Sequence, residues 1–353
     1  MKAFSSERPM RVIVVDDSAV VRAVLTELIN AEPDMKVVGA AADAFAAREA
    51  IRVLDPDVIT LDVEMPHMDG LDFLEKLMRL RPTPVVMIST LTERGSEAAL
   101  RALELGAIDF VAKPRVDVAH SMAGYAREIT QKLRIAASAR MPTQRSTLAV
   151  TGGAALTQMR RAPHPDQVIA IGASTGGTEA IKHILLQMPP DCPPIVITQH
   201  MPENFTRMFA DRLDRECRIK VREAQHDDRL QPGQALIAPG NRHLLMKKRA
   251  SGYVCQLSDA EPVSRHKPSV DVMFGSVATQ IGRHALGVIL TGMGRDGASG
   301  MAEMKRAGAY NIAQDEQSCV VFGMPREAIN AGGVDVMVPL DRIFDRLMER
   351  VGA

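Results

Sequence analysis

Val12-Ile13-Val14-Val15-Asp16-Asp17-Ser18 sets four β-branched residues in a row before two acids and a hydroxyl. A strand with one wet face alternates apolar and polar residues. An unbroken Val/Ile run instead suits a strand covered on both faces, as in a parallel sheet flanked by helices. The pattern recurs outward from this stretch, at 37–41, 58–61, 85–88 and 110–112. Helix-like segments lie between and after these runs, at 19–30, 44–53, 70–79, 96–105 and 124–135, with Ser18 and Ser96 as N-caps. This alternation predicts a five-stranded, doubly wound α/β domain.

A second alternation begins at Gln167. Buried-strand runs are expected at 168–171, 195–198, 235–238 and 286–290, and a hairpin crosses Ser251-Gly252 between 244–246 and 253–257. Helices are expected at 178–187, 204–217, 269–281, 297–307 and 340–349. The C-terminal half therefore also reads as doubly wound, mostly parallel α/β. Between the halves the chain is rich in Ala, Ser, Thr, Gln, Gly and Pro. Residues 121–163 carry seven basic residues and one acid, Glu128. The expected organisation is a domain over 10–126, a solvated linker over 127–163 and a domain over 164–353.

Composition narrows the function classes. The chain has 353 residues, which at roughly 100–200 residues per domain fits two domains. Lys+Arg and Asp+Glu are equal at 43 each, so no global charge points to nucleic acid or a membrane surface. Trp is absent and aromatic residues are 3%, which disfavours stacking platforms for single strands. No apolar run approaches the ~20 residues of a bilayer span, and the N-terminus lacks a signal-peptide pattern. A cytoplasmic protein is expected, with Cys192, Cys217, Cys255 and Cys319 as free thiols.

Two groups of residues carry chemistry. In the first, Asp16 and Asp17 end one strand, Asp62 ends another, Ser89 follows a third and Lys113-Pro114 follows a fourth. One acid at a strand end is an ordinary loop residue. Together these converge on the sheet edge where open α/β sheets bind ligands. Clustered carboxylates need a cation, and hard oxygen ligands suit Mg²⁺. One carboxylate can then be a nucleophile toward phosphorus, with Lys113 available to phosphate oxygens.

In the second, Gly172-Ala173-Ser174-Thr175-Gly176-Gly177 places G-x-S-x-G between a buried strand and a helix. That context suits a serine nucleophile. Alone, the motif also reads as a glycine-rich turn or a phosphate cradle. His200 ends the next strand and Asp296 sits in Thr291-Gly292-Met293-Gly294-Arg295-Asp296-Gly297, so a Ser–His–Asp set is available past the strand ends. Its order in the chain is not the Ser–Asp–His order of α/β-hydrolases.

Residues 10–125 resemble the receiver domain of response regulators. That resemblance implies Asp62 as phospho-acceptor and Asp16 and Asp17, with Asp62, as Mg²⁺ ligands. It implies Ser89 and Lys113 as phosphoryl sensors and Phe110 in the aromatic switch position; Met65-Pro66-His67-Met68-Asp69-Gly70 fits the same family. GASTGGTEA, TQHMP, PSVDVMF and TGMGRDG, within 164–350, resemble the catalytic domain of chemotaxis protein-glutamate methylesterases. This implies Ser174 as nucleophile, His200 as base, Asp296 as its partner and the Met293 amide, helped by Thr175, at the oxyanion. Arg265, His266 and the PSVD turn would line the substrate groove. The implied substrates are γ-glutamyl methyl esters and glutamines of chemoreceptors, with a chemotaxis histidine kinase as phosphodonor. No esterase-site cofactor, nucleic acid or membrane insertion is implied, and nothing requires more than a monomer. The rivals are a hydrolase of small esters under receiver control and a non-enzymatic response regulator.

Overall fold

Runs of β-branched residues become strands here because helices cover both faces of each sheet. The computed structural model describes residues 4–65, 68–89, 93–113, 122–141 and 163–352, without the side chains of 93–96. The chain divides into two compact units, Met1–Leu148 and Ala149–Ala353.

The first unit holds strands β1 (Met10–Val15), β2 (Met35–Ala41), β3 (Val58–Asp62), β4 (Val85–Ser89) and β5 (Asp109–Ala112), all parallel, in the order β2-β1-β3-β4-β5. Every residue of β3 and β4 is buried. The helices are α1 (Ala19–Asn30), α2 (Ala44–Leu54), α3 (Gly70–Leu80), α4 (Glu93–Glu104) and α5 (Met122–Ser138). Ser18 caps α1, its Oγ accepting the Val21 amide, and Asp43 and Asp69 cap α2 and α3 in the same way. Ser96, expected as a cap, lies one turn inside α4, which starts at Glu93.

The expected linker start at 127 needs correction, because it falls inside α5. That helix buries Ile129, Leu133 and Ala136. Arg134, one of the basic residues assigned to the linker, grips Asp34 with Nε and Nη2 at 2.8 and 2.7 Å, and Lys132 pairs with Asp109 at 3.1 Å. These charges fasten α5 to its own domain. Of the expected linker, 142–162 lies outside the described residues, as do Pro66, His67 and Pro114.

The second unit is built on seven parallel strands in the order β14-β13-β12-β6-β7-β9-β8. They are β6 (Val168–Ala173), β7 (Ile195–Gln199), β8 (Lys220–Glu223), β9 (Gln234–Ile237), β12 (Ala285–Ile289), β13 (Tyr310–Gln314) and β14 (Val336–Val338). Strands β10 (His243–Arg249) and β11 (Gly252–Ser258) form the expected hairpin, paired from His243↔Ser258 to Arg249↔Gly252. The hairpin lies against α8 (Val270–Gln280), with the Met246 amide on Ser276 Oγ at 2.9 Å. The other helices are α6 (Gly177–Leu185), α7 (Phe205–Glu216), α9 (Ala298–Arg306), α10 (Met324–Asn330) and α11 (Leu340–Arg350).

The chain runs from β6 outward to β7, then returns to the opposite side of β6 with β12. The topological switch point therefore lies between β6 and β12, where open sheets place their ligands.

Candidate functional site

At the carboxyl edge of the N-terminal sheet, Asp16 and Asp62 are fully buried and Asp17 is exposed, and one carboxylate oxygen of each lies within 4.8 Å of the others. Lys113 Nζ donates to Asp62 Oδ2 at 2.7 Å and lies 3.4 Å from Asp16 Oδ2. Burial pushes the Asp62 carboxyl up to about 6, against the hydrogen bond from Lys113 and with the help of the nearby Asp16 charge. Asp16 is also raised by burial, despite the Ser18 amide and Lys113. Asp16 Oδ2 and Asp62 Oδ1 are buried without a hydrogen-bond partner. Two buried carboxylate oxygens without a hydrogen bond, beside a third carboxylate, fit a small hard cation such as Mg²⁺. Ser89 is buried at the end of β4, and its carbonyl accepts the Lys113 amide at 2.7 Å. Phe110 is buried, with Lys132 Nζ 5.2 Å from its ring centre.

This cluster sets a stability expectation. A carboxyl raised from 3.8 to about 6 makes the folded state bind the extra proton, so stability falls as pH rises between these values. Above pH 6 the cost is on the order of 3 kcal/mol. Asp62→Asn should therefore raise the melting temperature at pH 7 and lose that advantage below pH 4. Millimolar Mg²⁺ should raise the melting temperature of the wild type and leave the variant largely unmoved. Calorimetry of the full chain checks both, and an Asp62→Asn variant less stable at pH 7 would overturn the reading.

In the C-terminal domain, Ser174 sits on the elbow between β6 and α6. Gly176 turns the chain there with φ 77°, and the Gly177 amide returns to the Ser174 carbonyl at 2.7 Å. Across the switch point the Ser174 amide donates to the Thr291 carbonyl at 3.1 Å. A Cβ on Gly292 would stand 2.7 Å from Ser174 Cβ, so glycine is what lets the loop after β12 reach the elbow. Thr291 is the hub of this junction. Its hydroxyl donates to the Thr175 carbonyl at 3.0 Å and accepts the Val321 amide at 3.0 Å, while its own amide is held by Gln314 Oε1 at 2.8 Å.

His200 and Asp296 are brought together, His200 Nε2 lying 2.7 Å from Asp296 Oδ2. Asp296 is buried and saturated. Oδ2 also accepts the Val270 amide at 2.7 Å, and Oδ1 accepts the Ser269 hydroxyl at 2.8 Å and the Asp271 amide at 3.0 Å. Burial alone would push this carboxyl up, but His200 and these donors outweigh it and hold it at about 2. With Asp296 ionised, the shared proton belongs to Nε2, which leaves the lone pair on Nδ1. His200 Nδ1 is buried with no hydrogen-bond partner, so the bond to the Ser174 hydroxyl is not closed.

The remaining expected residues surround this core. Met293 is 38% exposed on the loop beside Ser174, and Thr175 is buried beneath the elbow. The His266 ring stacks on His200 with centroids 3.8 Å apart and planes within 5°. Arg265 is exposed, with φ 69°. Three supporting roles escaped the sequence reading, which gave the PSVD turn to the substrate groove. Ser269 caps α8 and holds Asp296, Gln314 holds Thr291, and Gln199 Nε2 donates to the Ser174 carbonyl at 2.9 Å. Ser269 and Gln199 lie within or beside the quoted motifs, but polar residues at strand ends and turns give no sign of which group they serve. A third cluster, His164, Asp166 and His284, has its donor atoms within 4.8 Å. There His164 Nδ1 accepts the Asp166 amide at 3.1 Å, which occupies one of the lone pairs a metal would take.

The four cysteines are free. No helix among the described residues is long and apolar enough to cross a membrane.

A family model described as CheB methylesterase matches residues 169–347, and one described as response regulator receiver domain matches residues 12–121. The chain is 59% identical over 352 residues to the protein-glutamate methylesterase/protein-glutamine glutaminase of Nitrosomonas europaea, covering 98% of each chain. It is 58% identical over 351 residues to protein-glutamate methylesterase/protein-glutamine glutaminase 1 of Geobacter metallireducens, covering 97% of this chain and 96% of that one. The crystal structure of the Thermotoga maritima CheB methylesterase catalytic domain superposes with a TM-score of 0.51 at 37% identity, over 52% of this chain and 98% of that one.

Proposed function

Since the chain belongs to the CheB methylesterase family, we propose that Ser174, His200 and Asp296 carry out that family's reaction through an acyl-enzyme. The protein is a protein-glutamate methylesterase and protein-glutamine glutaminase with a receiver domain, acting on chemoreceptors under phosphorylation control. The observation that carries the mechanism is the buried His200–Asp296 pair at 2.7 Å, set beside a serine elbow at the sheet's switch point.

His200 Nδ1 takes the Ser174 proton as Oγ attacks the γ-carbonyl carbon. Asp296 keeps Nε2–H in place and stabilises the imidazolium. The oxyanion is placed at the Met293 amide, with Thr175 assisting. As the tetrahedral adduct collapses, the Nδ1 proton goes to the departing methoxide, and methanol leaves. Water, deprotonated by the same Nδ1, then splits the acyl-enzyme to glutamate and free Ser174. With a glutamine side chain the leaving group is ammonia, so both activities share one site. Arg265 and His266 are assigned to the substrate groove. None of these steps calls on a cofactor.

In the receiver, Asp62 accepts the phosphoryl group from a histidine kinase, identified here with the chemotaxis kinase. Asp16, Asp17 and Asp62 would hold Mg²⁺, which when bound neutralises the carboxylates and the incoming phosphoryl oxygens. Lys113 exchanges its bond to Asp62 for one to a phosphoryl oxygen, and Ser89 offers its hydroxyl. Ser89 and Phe110 then relay the change. Control of the esterase needs a difference in interaction free energy between the two receiver states. The protein is placed in the cytoplasm, as a monomer, without nucleic acid.

Methanol release from methylated chemoreceptor membranes tests this. Wild-type release should rise severalfold with Mg²⁺ and a small phosphodonor, and Asp62→Ala should ignore the donor. Brisk turnover of free short-chain esters together with indifference to receptor would favour the small-ester hydrolase instead.

A further inference from the structure

We propose that His266 is a positioning residue for the catalytic base, acting through the flat face it lays on the His200 ring. This rests on the assignment of His200 as the base. The ring planes are close to parallel, with centroids 3.8 Å apart. The Asp296 bond fixes the His200 ring only along its Nε2 edge. Tilting about that edge would move Nδ1, the atom assigned to take the Ser174 proton, and a flat neighbour against one face opposes the tilt.

The loop that presents His266 is built for this. Val263 and His266 exchange both backbone hydrogen bonds, at 3.1 and 2.9 Å, closing a two-residue turn. Its central residues, Ser264 and Arg265, have φ 53° and 69°. Such turns normally take Asn and Gly, because other side chains are disfavoured at positive φ. Two strained residues in succession persist only where the surroundings over-determine them, and they gather at functional sites. Here the surroundings are the buried His243, which brackets the loop. Its Nε2 donates to the Glu261 carbonyl at 3.0 Å and its Nδ1 accepts the Ser269 amide at 3.2 Å. Ser269 continues directly to Asp296. One clamped loop thus supplies both the donor that holds the acid and the ring that backs the base.

Charge is consistent with the role. His266 faces His200 and Asp296, with Arg265 and Lys267 flanking it in the chain. Burial and the adjacent His200 push it down to about 4, against the pull of Asp296. The face it offers is an uncharged imidazole, which does not repel the imidazolium formed at His200.

The test measures kcat and KM for methanol release by full-length wild type, Ser174→Ala, His266→Ala and His266→Phe on methylated receptor membranes. His266→Ala should lose about 10- to 100-fold in kcat, the scale of a misplaced catalytic group, with KM within about twofold. His266→Phe keeps a flat face and should stay within about fivefold of wild type in kcat. A loss confined to KM would make His266 only a groove contact. Equal losses in both variants at native melting temperature would point to proton transfer by the imidazole, and no loss would remove the role; each overturns the proposal. If His266→Ala does not fold, His266→Phe decides alone. A wild type that releases no methanol, or a Ser174→Ala variant that does, would sink the mechanism itself and this proposal with it.

Discussion

Ser174→Ala should lower kcat for methanol release by roughly four to six orders of magnitude, the scale seen when a triad nucleophile is removed. The elbow itself does not need the hydroxyl. It is held by backbone bonds from the Ser174 amide to Thr291 and from the Gly177 amide to the Ser174 carbonyl, and by the Gln199 amide group. All three survive the substitution, so the melting temperature should stay close to wild type. The variant should also fail to accumulate acyl-enzyme when a slow ester is added. Measurement is by methanol release together with mass spectrometry of the quenched protein. A variant keeping more than about one per cent of wild-type activity would show that another group attacks the ester.

Asp296→Asn should damage catalysis and folding together. Four donors converge on the two carboxylate oxygens: His200 Nε2 and the Val270 amide on one, the Ser269 hydroxyl and the Asp271 amide on the other. An amide can accept at only one of these positions. If its NH₂ faces His200, the imidazole must put its proton on Nδ1 and loses the base. If it faces the other pair, the Asp271 amide is left against a donor in a buried site. A wrong tautomer in such a triad costs about 10⁴ in kcat, and a buried unsatisfied donor about 1–3 kcal/mol.

The pH dependence carries its own sign. A carboxyl held at about 2 in the fold against 3.8 unfolded contributes stability that is complete above pH 4. It is lost as pH falls toward 2, and amounts to on the order of 2 kcal/mol. The gap between wild type and Asp296→Asn should therefore be widest at neutral pH and narrow below pH 4. Urea titrations at pH 7 and pH 3 read it directly. A gap that widened on acidification would contradict the assignment of Asp296 as the ionised partner.

Much of the fold could be read from residue order because parallel strands covered on both faces leave an unmistakable apolar run. Strands that depart from this were not legible. β8 is an edge strand reading Lys-Val-Arg-Glu, with a single buried side chain. β13 carries Asn311 and Gln314 in the core, where Asn311 Nδ2 serves the Met301 and Gly333 carbonyls and Gln314 serves Thr291. Polar residues buried for such duties look like loop residues in one dimension. β14 has three residues and α10 seven, too short for any period to register. The far end of α5 reads as linker because its basic residues look solvated until Asp34 and Asp109 are placed beside them.

The candidate site residues were legible for a different reason. Ser174, His200 and Asp296 each follow a strand, and strand ends in a parallel sheet share one edge. Contacts created by long-range packing were not legible. The His266–His200 stack, the four-donor cradle around Asp296 and the Thr291 junction join residues that are 66, 27 and 116 positions apart in the chain. No local pattern records such meetings.

The position of β6 at the switch point also bears on when this enzyme can first act. Its neighbour β7 delivers His200 from the next stretch of chain, while β12, on the other flank, delivers Gly292, Met293 and Asp296 from more than a hundred residues later. During synthesis the ribosome releases the proposed nucleophile and base well before the proposed oxyanion loop and acid. Thr291 in turn waits on Gln314 and Val321, still further along. A nascent or truncated chain ending before this point holds an elbow and an imidazole but no working ester-cleaving centre. On the proposed assignments, hydrolytic competence is thus deferred until the chain has emerged past Val321.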